Sequence, residues 1–316
     1  MKHKVFVDGQ EGTTGLKINE RLENHKHIDV LKIDLDKKKD LKERARLLNE
    51  ADIAFLCLPD AAAREAVSMI SNNRTRIIDA STAHRTEQGW AYGMPELSTD
   101  HRKLIESSNR VSVPGCYATG FNLLMYPLLK SGFVPTDYPV TCHAVSGYSG
   151  GGKKLIEQFE SKADKNPTFE SPVFYALGLA HKHLPEMHKI CGLKAAPLFT
   201  PIVADFYQGM LVAIPILPRL LSKDVKGKDI QEFLAEYYKD QRFVKVMPYN
   251  ADSNLDNGFL NATKCNHTNR AELFIFGNNE QILLMTRLDN LGKGASGAAV
   301  QNMNIMLSID EGTGLE

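Results

Sequence analysis

The sequence is poor in the features that mark extracellular, membrane-spanning or polyanion-binding proteins. It holds five cysteines in 316 residues, an odd number with no C-x-x-C pair, which argues against a disulfide framework and against a thiolate-rich zinc site. Its 38 lysines and arginines are balanced by 38 aspartates and glutamates. With no net charge and no long basic run, nothing electrostatic points to nucleic acid or an anionic membrane as partner. No apolar run approaches the roughly 18 residues of a membrane span. The opening MKHKVFVDGQEGTTG enters a strand-and-loop pattern at once. A cytoplasmic protein acting on a small molecule is expected.

What the chain does have is length enough for two domains of ordinary size and a change of rhythm between its parts. Short apolar β runs alternate with helical patterns in the first third: 5–7 before a glycine-rich turn and helix, 30–33 before a charged helix, 53–58 before a helix over 61–70, then 77–78 and 111–113. That is the pattern of βαβ units with a parallel sheet, whose ligands bind beyond the carboxyl ends of the strands. After about residue 135 longer β runs take over, at 140–145, 209–217 and 273–276, the last joined to 282–286 through GNNEQ, a hairpin signal. An α/β dinucleotide-binding domain followed by an α+β domain with a largely antiparallel sheet is expected. The closing stretch GASGAAVQNMNIML reads as a small-residue helix that packs against another element. No internal repeat or low-complexity segment is present.

Gly9, Gly12 and Gly15 follow the first strand with G-x-x-G-x-x-G spacing and open a helix in which Ile18 and Leu22 fall one turn apart. Glycines there allow the tight turn and the close approach of a pyrophosphate to amides at the helix N-terminus. The spacing departs from G-x-G-x-x-G, so a plain βα turn is the alternative. Asp34, at the end of the second strand, suits a ribose 2′-hydroxyl, whereas Lys37, Lys38 and Lys39 suit a 2′-phosphate. NAD and NADP both stay open at this point.

Cys116, in VSVPGCYATG, sits after the fifth β run and starts a helical stretch, so the positive end of that helix favours its thiolate. Cys57 and Cys142 lie inside apolar β runs, where packing is the simpler account. Cys142 and His143, adjacent on a strand, point to opposite faces and should not form a dyad. Cys191 and Cys265 fall in irregular segments that favour neither role. For a thiolate attacking a carbonyl, HKHLPEMHK offers the acid/base: His181 and His183 share a face if extended, and Glu186 can hold a ring in its working tautomer. The competing chemistry is zinc on His181 and His183 with His188 or Glu186, but nothing else completes the set. Gly147 to Gly151 is a formal G-x-S-x-G around Ser149 after a strand, as in a serine hydrolase. That reading leaves the glycine loop and Cys116 without a task, so the segment is read as a polar substrate loop with Lys153 available to a carboxylate.

Taken together, DGQEGTTG, DASTAHR, YGMPEL, VPGCYATG, SGYSGGGKK, HKHLPEM and DNLGKGASGAAVQNMNIM cover nearly the whole chain. In them the sequence resembles the short-form N-acetyl-γ-glutamyl-phosphate reductases, arginine-pathway relatives of the aspartate-semialdehyde dehydrogenases. The resemblance implies a glyceraldehyde-3-phosphate-dehydrogenase-like architecture. A Rossmann domain of residues 1–115 and 290–316 would accompany a substrate and oligomerisation domain of residues 116–289, in a dimer or tetramer. It implies NADPH as reductant, Cys116 as nucleophile, His183 or else His181 as acid/base, and Glu186 as the orienting carboxylate. The pyrophosphate loop would be Gly9, Gly12, Thr13, Thr14 and Gly15. Ser81 and Arg85 would face the substrate phosphate, with Ser149 and Lys153 also on the substrate side. Asn290, Gly292 and Lys293 would approach the nicotinamide. Reduction of a related aspartyl or acyl-aminoadipyl phosphate, and a non-catalytic NADP(H) sensor, are the alternatives.

Overall fold

A computed structural model of the chain describes residues 2–34, 36–161 and 167–315. They form two compact units, residues 1–114 with 295–316 and residues 115–294.

The first unit runs β1 (His3–Asp8), α1 (Thr13–Leu22), β2 (Ile28–Leu31), α2 (Leu41–Glu50), β3 (Ile53–Leu56), α3 (Asp60–Ser68), β4 (Arg76–Asp79), β5 (Ala91–Tyr92), α4 (Thr99–Ser107) and β6 (Arg110–Ser112). Its six-stranded sheet has the order β2-β1-β3-β4-β6-β5, and every pairing is parallel. All four residues of β3 are buried, which is why it reads as an unbroken apolar run. The order reverses between β1 and β3, the switch point at which a doubly wound sheet opens a crevice for its ligand. β2 ends at Leu31, so Asp34 lies beyond the strand instead of closing it. Asp40 caps α2 by accepting from the Lys42 and Glu43 amides.

Every residue of the last helix, Gly297–Met306, is buried. Its polar members have partners: Asn302 donates to the Gly93 carbonyl at 2.9 Å, Gln301 to Glu96 at 2.8 Å and Asn304 to the Thr313 carbonyl at 2.9 Å. A helix with no polar face is stable only inside a core, and the small residues of GASGAA let it pack closely there.

The second unit runs α5 (Cys116–Lys130), β7 (Thr141–Gly147), α6 (Gly152–Glu160), β8 (Val173–Phe174), α7 (Leu184–Cys191), β9 (Leu198–Ala204), β10 (Met210–Ile216), α8 (Gly227–Tyr237), β11 (Val244–Val246), β12 (Ala271–Gly277) and β13 (Ile282–Leu288). The seven strands have the order β11-β12-β13-β10-β7-β9-β8. β11–β12 and β7–β9 are parallel and the other pairs antiparallel. The hairpin expected at GNNEQ joins β12 to β13, with Gly277 opposite Ile282. β9 lies next to the edge of the sheet, flanked by the two-residue β8, and its Pro201 disguises it in the sequence; a proline removes one ladder donor, and the strand keeps its place through pairing with β7 over Leu198–Ala204. Strand alternation separates Cys142, fully buried, from exposed His143. α5 and α8 cover the buried face of the sheet. Cys191, expected in an irregular segment, instead ends α7, buried with its thiol on Asn122 Oδ1 of α5 at 3.3 Å.

One buried ion pair anchors the foot of the first glycine turn. Arg44 of α2 donates to Asp8, the last residue of β1, at 2.9 Å, and both side chains are under a tenth exposed. Arg44→Met leaves a buried carboxylate without its cation, which should cost about 3 kcal/mol or more. Urea unfolding is expected to show that loss and to show most of it recovered in Asp8→Leu/Arg44→Met. A double variant as unstable as the single one would mean that packing, not the stranded charge, is responsible.

Candidate active site

The glycine turn of the first unit is built where the sheet order reverses. Gly9 has φ +87°, and a Cβ there would stand 2.4 Å from the Cys57 carbonyl at the end of β3. A Cβ on Gly15 would stand 2.4 Å from the Gly9 carbonyl. The loop is therefore closed down against its own backbone and against β3, and only glycine fits. Gly12 is the N-cap of α1 and has no side-chain cap, so the first-turn amides, those of Thr13 and Thr14 among them, are left at the positive helix end. A tightly closed glycine turn that leads into uncapped helix amides suits a dinucleotide pyrophosphate.

Asp79, the last residue of β4, is fully buried and organises the DASTAHR turn. It accepts the Ser81 amide at 2.9 Å and the Ser81 hydroxyl at 2.7 Å, and lies 2.6 Å from His84 Nδ1. His84 stacks on Trp90 at 4.0 Å. Both Ser81 donors are thus committed to Asp79. The Arg85 guanidinium donates to the carbonyls of Val113 at 2.9 Å and Ala80 at 3.2 Å.

In the second unit, Cys116 is the first residue of α5 and Gly115 its N-cap, again without a capping side chain. A thiolate at that position lies on the helix axis at its positive end. Gly294 packs directly on it: a Cβ there would come within 2.7 Å of Cys116 Cβ. The segment around His181 and His183, whose side chains would share a face if it were extended, is a turn, with His183 as the N-cap of α7 at φ −89°, ψ −9°. In a turn, ring–ring approach replaces a shared strand face. The two imidazoles stand 4.7 Å apart and nearly perpendicular, and the His183 amide donates to His181 Nδ1 at 3.1 Å. Glu186, 1% exposed, accepts the Gly115 amide at 3.0 Å.

Two tyrosines that no sequence pattern singled out complete the cluster. The Tyr117 ring lies 5.5 Å from His181, 5.7 Å from His183 and 5.2 Å from Phe199. Tyr175 Oη donates to Tyr117 Oη at 3.1 Å and lies 3.3 Å from His181 Nε2. Burial raises both phenol pKa values. For Tyr117 the neighbouring Tyr175 adds to this, and for both the negative charge of a Cys116 thiolate does so. Adjacency to Cys116 could have flagged Tyr117. Tyr175 becomes visible only when the chain folds back.

The remaining expected residues serve loops of the second unit. Asn290 uses both ends of its amide, accepting from the Gly209 amide at 2.7 Å and donating to Ser149 Oγ at 3.0 Å. Ser149 is buried in a short turn, with that amide as its hydroxyl's partner. Its neighbour Asp289 accepts from His267 N at 2.7 Å, Leu291 N at 2.9 Å and Gln208 Nε2 at 3.0 Å. Gly292 is forced by the Thr268 carbonyl, 2.3 Å from where a Cβ would stand. Lys293 is 1% exposed with its ammonium 5.9 Å from the Phe243 ring. Lys153, by contrast, is 81% exposed on α6, 4.0 Å from Glu157. Among the described residues no group of three or more His, Cys, Asp or Glu is placed to hold a metal ion, and no helix is long and apolar enough to cross a membrane.

The chain matches the profile of the semialdehyde dehydrogenase NAD-binding domain over residues 4–105 and of the semialdehyde dehydrogenase dimerisation domain over 116–290. It is 50% identical over 320 aligned positions to N-acetyl-gamma-glutamyl-phosphate reductase 2 of a Nostoc species, covering 99% of both chains. The chain belongs to the N-acetyl-γ-glutamyl-phosphate reductase family. Members from Pseudomonas putida, at 47% identity with 96% of each chain covered, and from a Chelativorans species, at 44% with 98% of this chain and 99% of the relative, match it equally end to end. Among solved structures, the aspartate semialdehyde dehydrogenase of Francisella tularensis shares the fold at a TM-score of 0.74 and 15% identity, covering 97% of this chain and 100% of that one. An aspartate semialdehyde dehydrogenase II of Vibrio cholerae does so at 0.72 and 13%, covering 98% and 99%. The two-sheet α/β architecture expected for this family is the one observed, with a nicotinamide-dinucleotide domain ahead of a dimerisation domain.

The five thiols differ in environment. Burial holds those of Cys57, Cys142 and Cys191 well above the ordinary range, and that of Cys265 is pushed up to about 11. At pH 8 these four stay protonated, and a protonated thiol is a poor nucleophile. Iodoacetamide is therefore expected to label Cys116 at least about tenfold faster than any of them, as followed by peptide mass spectrometry. Labelling of Cys57 or Cys265 at the same rate would remove the distinction.

Proposed function

We propose that the protein reduces N-acetyl-γ-glutamyl phosphate to N-acetylglutamate semialdehyde and phosphate, a step of arginine biosynthesis, with NADPH as reductant and Cys116 as nucleophile. The observation that carries this reading is the thiol at the first position of α5, joined through Glu186 to the turn that presents two histidines. Near-half identity over the full chain to proteins named for that reaction supports the substrate. Dinucleotide binding is assigned to the first unit, at Gly9, Gly12, Thr13, Thr14 and Gly15. Asn290, Gly292 and Lys293 are assigned to the nicotinamide end, and Ser81, Arg85, Ser149 and Lys153 to the substrate.

Attack of the Cys116 thiolate forms a carbon–sulfur bond at the acyl carbon, and collapse of the adduct breaks the bond to phosphate, which leaves with the electron pair. Covalent capture divides one hard reduction into two easier steps. A bound reduced nicotinamide supplies the hydride. The thioester carbon accepts it, the resulting oxyanion takes a proton, and loss of that proton drives collapse of the thiohemiacetal to aldehyde and thiolate. The one proton consumed overall ends on phosphate. His183 is the ring assigned to the proton transfers. The amide bond into His181 Nδ1 fixes the neutral His181 ring with its proton on Nε2, toward Tyr175. Adding a second proton at Nδ1 would break that bond, so His181 acts as a positioning residue.

Self-association is assigned to the open face of the second sheet, where Val145, Ile202, Leu211, Ala213 and Met285 are half-buried and Leu198 and Leu283 exposed. These apolar residues share one face by strand register, and a second copy would cover them.

Cys116→Ser should abolish phosphate-dependent oxidation of the semialdehyde in the reverse direction, and undiminished turnover would reject the nucleophile. His183→Asn is expected to lower kcat by about 10²–10⁴ and to erase one limb of the pH–rate profile. His181→Asn should lower kcat and leave the profile's shape intact. A limb lost in His181→Asn and kept in His183→Asn would exchange the two roles.

A further inference from the structure

The turn after β2 contains three consecutive lysines, and the structure separates them. The Lys37 amide bonds the Asp34 carbonyl at 2.9 Å and the Asp40 amide bonds the Lys37 carbonyl at 2.8 Å, which folds the segment into successive turns before α2. In that fold Lys37 Nζ turns back to Asp34, 3.6 Å away, on a side chain that is 74% exposed. Lys38 goes the other way: its ammonium reaches both carboxylate oxygens of Glu11, at 2.8 and 2.7 Å. Glu11 lies inside the glycine turn, between Gly9 and Gly12. One lysine of the run is thereby held over the loop that cradles the pyrophosphate, 27 residues away in sequence.

A dinucleotide lying on this loop brings its adenosine ribose to the carboxyl end of β2, where it meets the Lys38 ammonium and not a lone carboxylate. Asp34, the alternative partner for a ribose 2′-hydroxyl, lies 3.6 Å from the Lys37 ammonium in an exposed pair of its own. We propose that Lys38 reads the 2′-phosphate of NADP(H), and that Glu11 is its exchangeable counter-ion, occupying the ammonium until the phosphate displaces it. This rests on the reading of the glycine turn as a dinucleotide site. The exchange is favourable in sign. The Lys38–Glu11 pair is solvent-exposed, with side chains 42% and 55% accessible, so little holds it together. A 2′-phosphate carries nearly two charges against one and offers three acceptor oxygens. Glu11 has a second consequence: its carboxylate remains beside the phosphate after displacement and opposes it. The residue that prepares the lysine therefore also limits the affinity for NADP.

The two substitutions should move the NADP+/NAD+ affinity ratio in opposite directions, which a merely structural role of either residue would not produce. Fluorescence or calorimetric titration of the whole protein with NADP+, NAD+, 2′,5′-ADP and 5′-AMP reads binding without turnover. Lys38→Gln is expected to weaken NADP+ and 2′,5′-ADP about tenfold, the worth of one charge-assisted bond to phosphate. Its NAD+ and 5′-AMP affinities should match wild type, and Lys38→Arg should keep the preference. Glu11→Gln is expected to tighten NADP+ by about threefold, with the largest effect at low salt. An unchanged NADP+/NAD+ ratio in Lys38→Gln overturns the assignment of Lys38 alone. Weakened NADP+ binding in Glu11→Gln overturns the counter-ion role. If wild type binds none of the four ligands, the glycine turn is not a dinucleotide site and the broader reading falls with it.

Discussion

The hydrogen bond from the Gly115 amide to Glu186 is the constraint on which the reactive cluster depends. It ties the residue before the thiol to the first turn of α7, and so fixes the start of α5 against the turn that holds both histidines. Glu186 is itself in that first turn, at the positive end of α7. A carboxylate this deeply buried is expensive without donors, and the Gly115 amide, which has no partner inside α5, is one of the groups left over at a helix start. Each satisfies a need of the other. The result is a thiol, two imidazoles and a carboxylate contributed by segments about seventy residues apart and joined by a short, water-excluded bond.

The same economy recurs in both units, with a difference in kind between fixed and exchangeable charges. Asp8 with Arg44, Asp79 with Ser81 and His84, and Asp289 with three donors are all buried, and each sits at the foot of a loop assigned to ligand. Buried polar groups with full complements of partners are rigid, because losing any one bond exposes the rest to an uncompensated desolvation cost. The Glu11–Lys38 pair is exposed and weak, as a contact must be if a ligand is to replace it. Buried pairs thus set loop shape and exposed ones stay available for recognition.

Much of this was legible in the sequence because local chemistry dictated it. The β1–glycine turn–α1 unit, the helix start at Cys116 and the apolar final helix each follow from patterns within about fifteen residues. What was not legible came from long-range closure. Spacing leaves Asp34 and the three lysines as alternatives at the ribose; the fold adds that β2 stops at Leu31 and that Lys37 and Lys38 turn to different carboxylates. His181 and His183 suggested a strand face, but the turn leading into α7 brings their rings edge to face. Tyr175 lies 58 residues from the tyrosine it bonds, just after a two-residue edge strand that carries no periodic signal of its own. Asn290, assigned to the nicotinamide end, also ties Gly209 to Ser149 through its amide, a link that no spacing shows. Spacing reveals which residues are chemically capable; only the folded backbone shows which of their atoms are already committed.

The protonation chemistry of the cluster divides along the same line. Burial keeps the Tyr117 and Tyr175 phenols protonated across any working pH, and a thiolate beside them strengthens that preference. They therefore keep their protons, that of Tyr175 directed to Tyr117 Oη. His181 is committed through Nδ1 to a backbone amide, and its remaining nitrogen faces Tyr175. A ring so placed orders the hydroxyls and keeps one tautomer, which is the task of a second-layer histidine. Of the groups around Tyr117, His183 is the ring whose amide rather than whose side chain serves that bond. The His183 ring takes no part in that bond, which agrees with the proton transfers assigned to it above.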